Sequence, residues 1–321
     1  MSKWNLPPKG GYMEAPKKMY YQTMNKLDVE ERLKKNDIII IPVGSTENHG
    51  AAGPIGEDTF VVTRIAEMVA EKTGCTVAEP VWYGSHPFHH IGQPCTIPLP
   101  DNVFIDFIRA IITGFWNTGF RKQIFISLHG QEYSLPVAIQ EWGKKYQVPA
   151  MLYFVDIPRV MGQTLMDKAH GGPYDRPFQH ACEAEQSISL ALFPELCNQE
   201  QAENTDVKGF LPPGHVDRGG DIYGYPIPGH CQVGNCGIEC VTFPEGVLGH
   251  AKDADPAKAV ASIEKVCDYL VKLHDDILAA FPAGKLPPAE LMSQRDPEEI
   301  EKLLKGPLKG GKHIYTLGWP T

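Results

Sequence analysis

The sequence predicts an α/β protein of three layers, in which helices cover both faces of a mostly parallel central sheet. The run of four isoleucines at 38–41 is apolar and β-branched without alternation, as in a strand buried on both faces. Apolar runs near 123–128 and 150–155 have the same character. Segments with helical periodicity separate these runs, and such alternation is typical of a parallel sheet between two layers of helices.

Each element of this fold has a signal of its own. Asp28 is expected to cap the first helix, and Gly74 is expected to end a second helix that begins near Asp58. The second helix and the last one each have an apolar face. The residues expected to be buried are Phe60, Val61, Ile65, Met68 and Val69 in the second helix, and Val260, Ile263, Val266, Leu270 and Leu273 in the last. In chain order, the predicted helices are 29–35, 58–73, 102–118, 134–145 and 256–278, and the predicted strands are 38–41, 76–81, 123–128 and 150–155.

The chain is interpreted as one domain with extensions at both ends. Residues 1–27 are rich in Pro, Gly, Tyr and Lys and predict an N-terminal arm. Residues 28–281 form the domain, with a Gly- and Pro-rich insertion at about 212–249. Residues 282–321 are expected to be a loosely attached C-terminal extension.

Composition restricts the possible partners and the location. The net charge is −9, so nucleic acid and anionic membrane surfaces are poor partners, since binding to phosphates needs an excess of Lys and Arg. The sequence shows no secretory signal and no apolar run of membrane-spanning length. Eight scattered cysteines do not resemble a disulfide scaffold, and a cytoplasmic protein with mostly free thiols is expected. Cys231, Cys236 and Cys240 lack the CxxC spacing of a zinc site, which favours a loop with incidental thiols.

Four polar residues lie where the predicted strands end, at the edge where parallel sheets bind ligands. Glu47 and His49 follow the first strand and, by alternation, share one side of an extended segment. Asp58 begins a helix, whose dipole favours an ionised carboxylate, and His129 follows the strand at 123–128. Each residue alone also fits a structural role, as a solvated carboxylate, a turn residue, a helix cap or a core histidine. Together they predict a site for Zn²⁺ or Mn²⁺, which bind mixed oxygen and nitrogen ligands.

Four motifs in the same order resemble the creatininase family. The first is PVGSTENHGAAGPIGEDT at 42–59, and the second is ISLHGQE at 126–132. The third is HACEAEQS at 180–187, and a weaker one is HHIGQPCT at 89–96. The resemblance extends from about Asp37 to Leu278 and implies a creatininase-like fold. The sequence departs from the family motifs at Cys95 and Cys182, which replace glycines, and at Gln186, which replaces threonine.

The resemblance implies a binuclear site with two divalent ions, Zn²⁺ and/or Mn²⁺, and Asp58 as the bridging ligand. A position two residues after the strand-end histidine supplies a carboxylate in some members, but here it is Gln131. Glu132 is one residue further on, and Glu185 is the preferred fifth ligand. His180 matches a pocket histidine that can shuttle a proton, and Glu185 is the alternative base if it is not a ligand. The implied metal ligands are Glu47, His49, Asp58, His129 and Glu185.

The implied activity is metal-dependent, ring-opening hydrolysis of a small cyclic substrate. The arm, the insertion and the tail are most similar to a subgroup described as 3-dehydro-scyllo-inosose hydrolases of inositol catabolism, in which a C–C bond of a cyclic 1,3-dicarbonyl is broken. The alternatives are a creatinine-like amidohydrolase, a metal-dependent sugar isomerase and a non-catalytic binding protein. The family also implies a homo-oligomer, often a hexamer. The residues expected to contact a hydroxyl-rich substrate are His90, Tyr83 and Glu132, with Trp82, His86, His89 and the loop at 217–225 as further candidates.

Overall fold

The computed structural model describes residues 19–206, 208–212 and 237–315. In these ranges the sheet has four strands, all parallel, in the order β2-β1-β3-β4. The strands are β1 Ile38–Pro42, β2 Thr76–Val77, β3 Lys122–Ser127 and β4 Met151–Asp156. β1 lies in the interior of the sheet and is fully buried. Its continuous apolar run suits a strand that is covered on both faces.

The α-helices of the described residues follow the strands along the chain. They are α1 Lys26–Lys35, α2 Glu57–Thr73, α3 Asp101–Thr118, α4 Ser134–Tyr146, α5 Ile157–Met161, α6 Glu183–Leu192, α7 Glu239–Thr242, α8 Pro256–Ala280 and α9 Pro297–Lys305.

Two hydrophobic cores lie on opposite faces of the sheet. Ile38 and Ile40 face one core, which contains residues of α2, α5, α6 and α8. Ile39 and Ile41 face the other, which contains residues of α3, α4 and α9. Because successive side chains of a strand point to opposite faces, one run of isoleucines contributes to both cores. The predicted three-layer α/β/α fold with a mostly parallel sheet is confirmed.

Several local predictions were wrong. α1 begins at Lys26, and its N-cap is Asn25, whose side chain accepts from the amides of Leu27 and Asp28. Asp28 is therefore the third helical residue, where its carboxylate completes a capping box with the Asn25 amide. The strand predicted at 76–81 has only two residues, since the chain then turns into the long loop that ends at Pro100.

Helical spacing also overestimated burial at the edges of two apolar faces. Met68 of α2 is 36% exposed and Val260 of α8 is 48% exposed. Phe60 and Leu273 are only partly buried. The residues at the centre of each face are buried as predicted, for example Ile65 in α2 and Leu270 in α8.

The described part of the C-terminal extension is firmly attached, so the expected loose attachment was wrong. Ile300, Leu303 and Ile314 are buried. The side chain of Asn117 in α3 donates to the Ile314 carbonyl at 2.7 Å and accepts from its amide at 3.1 Å. Arg121 donates to the Leu304 carbonyl at 2.8 Å. The domain boundaries themselves stay predictions, and residues 1–18 lie outside the described ranges.

None of the helices in the described ranges is long and apolar enough to cross a membrane. The six cysteines at described positions are free thiols. Cys231 and Cys236 lie outside the described residues, as does the loop at 217–225.

A buried ion pair ties the extension to the edge of the sheet opposite the predicted site. Lys122, at the start of β3, is fully buried, and its Nζ lies 2.8 Å from Asp37 Oδ1 and 3.1 Å from the Pro282 carbonyl oxygen. The second oxygen of Asp37 accepts from the Gly284 amide at 2.9 Å. Asp37 therefore neutralises Lys122 and holds the turn that follows α8.

Replacing Asp37 with Asn is expected to lower the free energy of unfolding by about 3 kcal/mol, because Lys122 would remain buried without its carboxylate. Urea denaturation of the wild type and the variant measures this difference. The control is Glu30→Gln, which breaks an exposed ion pair with Lys26 and should leave the urea midpoint unchanged. Equal midpoints for D37N and the wild type would contradict the assigned role of the pair.

Candidate metal centre

Loops from three strands and the segment before α6 meet at the carboxyl edge of the sheet. The loop after β1 carries Glu47 and His49, and α2 begins where this loop ends. The loop after β2 forms a short 3-10 turn at Phe88–His90, and His129 follows β3. All of these connections leave parallel strands at the same end, so their polar residues are brought together.

Glu47 lies at the centre of the cluster and is 1% exposed. Its Oε2 lies 2.8 Å from His129 Nδ1, and its Oε1 lies 2.9 Å from His90 Nδ1 and 3.5 Å from His180 Nδ1. Despite these short distances, Oε1 accepts no hydrogen bond of acceptable geometry from the described residues. A cation shared with the imidazole nitrogens would explain this buried carboxylate oxygen.

Asp58 joins this cluster from the first turn of α2. Ser45 Oγ donates to Asp58 Oδ2 at 2.6 Å, and His129 Nδ1 lies 3.3 Å from the same oxygen. One imidazole nitrogen thus faces two carboxylates. The N-terminus of α2 adds a partial positive charge, which favours the ionised form of Asp58.

Backbone carbonyls fix which ring nitrogen of each histidine faces the cluster. His129 Nε2 lies 3.0 Å from the Ser85 carbonyl, and His180 Nε2 lies 2.6 Å from the Asn48 carbonyl. His49 Nδ1 lies 3.2 Å from the Glu47 carbonyl. Because a carbonyl oxygen only accepts, these nitrogens carry a proton, and the opposite nitrogen of each ring faces the cluster. Positive charge is needed between those inner nitrogens and the carboxylates, and either a second proton on the ring or a bound cation supplies it.

A second part of the cluster surrounds His49. His49 Nε2 lies 3.9 Å from Glu57 Oε2, and the side chain of Glu57 is fully buried. Ser189 Oγ of α6 donates to the other Glu57 oxygen at 2.6 Å. Glu185, one turn earlier in α6, is 6% exposed and accepts from the Ala181 amide at 2.5 Å.

The electrostatics of the cluster favour bound positive charge. Burial alone would raise the pKa of Glu47, but neighbouring imidazoles, His90 first, hold it well below its usual range. Burial alone would lower the pKa of His49, yet the surrounding carboxylates, Glu57 first, raise it to about 10. Burial raises the pKa of Glu185 well above its usual range, although His49 opposes this effect. In the described part of the chain, no Lys or Arg forms an ion pair with the four carboxylates Glu47, Glu57, Asp58 and Glu185.

Two overlapping groups of side chains could hold a metal ion, with ligand atoms within 4.8 Å of one another. Both contain Glu47. One group adds His86, His90 and His129, and the other adds His49 and His180. The donors are carboxylate oxygens and imidazole nitrogens, with no thiolate, which suits Zn²⁺ or Mn²⁺.

Most residues predicted for the site lie in this cluster. Glu47, His49, Asp58 and His129 come together, with His180 and His90 next to Glu47. His86 was predicted only as a contact of the substrate, and Glu57 was not predicted for the site. The one sequence signal for Glu57 is its position directly before Asp58.

The remaining candidates are Gln131, Glu132 and Tyr83. Gln131 is fully buried, and its amide donates to the Gly44 carbonyl and to Ser127 Oγ, both at 3.1 Å. Glu132 lines a separate cavity near the end of β4, together with Asp156 and Arg159. Tyr83 is 49% exposed. The substrate contacts predicted for His90, Tyr83 and Glu132 stay predictions.

Comparisons with known proteins agree with this geometry. A family model described as creatininase, creatinine amidohydrolase, matches residues 22–274. A 3-dehydro-scyllo-inosose hydrolase of Thermotoga maritima is 54% identical over 307 residues, which cover 95% of this chain and 99% of that relative. A creatinine amidohydrolase of Pseudomonas putida is 24% identical over 207 residues, which cover 58% of this chain and 76% of that relative.

Solved structures agree on the fold. A crystal structure of creatinine amidohydrolase (creatininase) has a TM-score of 0.65 at 19% identity and covers 83% of this chain and 99% of that one. A creatininase structure described with Mn has a TM-score of 0.63 at 18% identity, with coverage of 82% and 99%.

A three-layer fold with carboxylates and imidazoles clustered at the carboxyl edge of a parallel sheet is the arrangement expected of a metal-dependent enzyme, and the family model and the relative of 54% identity are those of hydrolases. The chain belongs to the creatininase family, since the family model matches most of its length. The resemblance predicted from the four motifs is confirmed.

Removal of divalent cations is expected to destabilise the folded protein, because the buried carboxylates would lose the positive charge of the bound ions. Binding at a free metal concentration of 100 times the dissociation constant contributes about 2.7 kcal/mol. Thermal unfolding after dialysis against EDTA, followed by addition of Zn²⁺ or Mn²⁺, measures the effect as a rise in Tm. The variant Asp58→Asn should show a smaller rise, and a wild-type Tm that does not respond to metal would contradict the assignment.

Proposed function

We propose that this protein opens the ring of 3-dehydro-scyllo-inosose by hydrolysis of a C–C bond. The observation that carries the proposal is the 54% identity to the Thermotoga maritima hydrolase of that substrate, which extends over 99% of the relative. Identity of this extent across a whole chain supports a shared substrate as well as a shared fold. The reaction belongs to the degradation of a cyclic polyol.

The proposed centre would hold two divalent ions, with Asp58 as a ligand common to both. Glu47, His129 and Asp58 would hold the first ion, since His129 Nδ1 lies 2.8 Å from Glu47 Oε2 and 3.3 Å from Asp58 Oδ2. His49, Glu185 and Asp58 would hold the second ion. The electrostatic effects of Glu185, Asp58 and Glu47 on His49 support their proximity. Creatininase structures described as a Mn form and a Zn-Zn type favour these metals.

When bound, such ions polarise a carbonyl group and make a water molecule more acidic. Water adds to one ring carbonyl carbon, and the bond from that carbon to its neighbour breaks. The electron pair moves to the neighbouring carbon, where the second carbonyl of the 1,3-dicarbonyl stabilises it as an enolate. The product is an open-chain keto acid, heavier than the substrate by one water.

His180 supplies the proton to the departing carbon in this proposal. Its Nε2 is held by the Asn48 carbonyl at 2.6 Å, so Nδ1 is the atom that gains and donates the proton. The Nδ1 atom points into the cluster, 3.5 Å from Glu47 Oε1. Glu185 is the alternative proton carrier if it does not bind metal.

A creatinine-like amidohydrolase is the second candidate, favoured by the description of the matching family model. In that reaction the same steps break a C–N bond, and the product is a linear amide derivative. A metal-dependent sugar isomerase is a weaker alternative, because it would take up no water.

The proposed assembly is a homo-oligomer, a hexamer by family resemblance. Apolar side chains exposed in the long loop after β2 and in α3 support self-association. Ile91, Ile97 and Val103 are 47–53% exposed.

Incubation with 3-dehydro-scyllo-inosose is expected to yield a product heavier by one water, detected by mass spectrometry, whereas creatinine should remain unchanged. Glu47→Gln should abolish turnover. His180→Gln should lower kcat at least about 100-fold, as is typical for loss of a general acid. The matched controls are Glu79→Gln at an exposed site and His313→Gln in the C-terminal extension, and both should retain full activity. Hydrolysis of creatinine with no reaction of the inosose would contradict the proposal.

A further inference from the structure

Glu57 is a buried carboxylate to which the family motifs assign no role, and it is not among the proposed metal ligands. It is the first residue of α2 and immediately precedes Asp58. Its side chain is fully buried at the edge of the sheet that carries the metal cluster. Full burial of a carboxylate is costly unless it is paired, so its surroundings must compensate the charge.

Among the described residues, only one of the two Glu57 oxygens has a hydrogen-bond partner. Ser189 Oγ donates to Oε1 at 2.6 Å, which fixes the carboxylate against α6. Oε2 is buried and accepts no hydrogen bond from the part of the chain that the structure describes. The nearest ring nitrogen recorded for this oxygen is His49 Nε2, at 3.9 Å.

This distance is too long for a hydrogen bond but suits two ligands of one cation. Bonds of about 2.0–2.2 Å from one ion to an imidazole nitrogen and to a carboxylate oxygen place those atoms roughly 3–4 Å apart. His49 Nε2 is also the nitrogen available to a cation, because Nδ1 faces the Glu47 carbonyl. Glu57 Oε2 accepts no hydrogen bond from the described residues, and it lies at a distance from His49 Nε2 that a shared ion would produce.

The packing keeps Glu57 in this position. A Cβ atom at Gly53 would lie 2.8 Å from Glu57 Oε2 and 2.8 Å from His49 Cβ. The absence of a side chain at Gly53 thus allows the carboxylate and the imidazole to approach. On the other side, Ser189 and Glu185 lie one helical turn apart in α6, so one helix face supports both carboxylates near His49.

The charge balance of the cluster also supports a metal-binding role for Glu57. Bound cations favour the ionised form of each buried carboxylate, so Glu47, Asp58 and Glu185 would supply three negative charges against the four positive charges of two divalent ions. Glu57 brings the total to neutral, and no Lys or Arg of the described residues forms an ion pair with it. A buried site favours such a balance because uncompensated charge is costly there.

We infer that Glu57 Oε2 is a further ligand of the ion bound by His49 Nε2, with Ser189 orienting the carboxylate. The inference rests on the proposed binuclear centre and adds a residue to its second site. The metal affinity of the second site, at His49, should therefore depend on Glu57. The metal affinity of the first site, at Glu47 and His129, should not depend on Glu57.

The test is metal binding by Glu57→Gln, which keeps the side-chain volume and can still accept from Ser189. Zn²⁺ content after dialysis is measured by mass spectrometry, and affinities are measured by competition with a chromophoric chelator. The wild type should retain two ions per chain. E57Q should retain one and bind the second at least about tenfold more weakly. Ser189→Ala should weaken the same ion to a smaller extent.

The matched control is Glu183→Gln, since Glu183 is also a buried carboxylate near the N-terminus of α6 but pairs with Lys258. E183Q should retain two ions.

If E57Q binds both ions with wild-type affinity while the wild type holds two, the role of Glu57 is wrong and the binuclear centre stands. If the wild type retains no ion, the centre itself is wrong, and the inference with it. If E57Q does not fold, the result with S189A decides, and unchanged metal affinity there overturns the inference.

Discussion

The constraint on which the structure depends is the burial of four carboxylates at one edge of a parallel sheet, where no Lys or Arg of the described residues pairs with them. Glu47, Glu57, Asp58 and Glu185 are each at most 6% exposed. Their neighbours are imidazoles whose outer nitrogens donate to backbone carbonyls, which leaves the inner nitrogens directed at the carboxylates. Such an arrangement needs positive charge between these groups, and bound cations supply it when the inner nitrogens act as ligands. The metal dependence of the family therefore has a physical cause in this chain that is visible without the ions.

Only a few elements of the fold bring these carboxylates together. β1 and β3 are paired neighbours, so the loops that follow them place Glu47 and His129 side by side. α2 brings Asp58 to the same place through its N-terminus, and α6 closes the site from the face that it shares with α2 and α8. The opposite edge of the sheet carries the buried Asp37–Lys122 pair and has no part in the site. The edge with the Asp37–Lys122 pair thus contributes to stability, and the carboxyl edge carries the candidate metal site.

Much of this could be predicted from the sequence. A run such as Ile38–Ile41 suits only a strand covered on both faces, and alternation after it places Glu47 and His49 on one side. His90 was harder, because no local pattern indicates that the loop after β2 folds back to within 2.9 Å of Glu47. Glu57 was missed because an acidic residue in a first helical turn is ordinary, and only the packing of α6 makes it buried. The docking of the C-terminal extension depends on pairing between residues distant in sequence, such as Asn117 and Ile314.

The most direct test of the central claim is X-ray diffraction from crystals of the purified protein, with anomalous data on both sides of the zinc and manganese absorption edges. The account requires two anomalous peaks for each chain. One should lie between Glu47 and His129, and the other next to His49, with Asp58 contacting both. Crystals that contain the intact cluster but show no anomalous peak within it, after growth with these metals, would contradict the account.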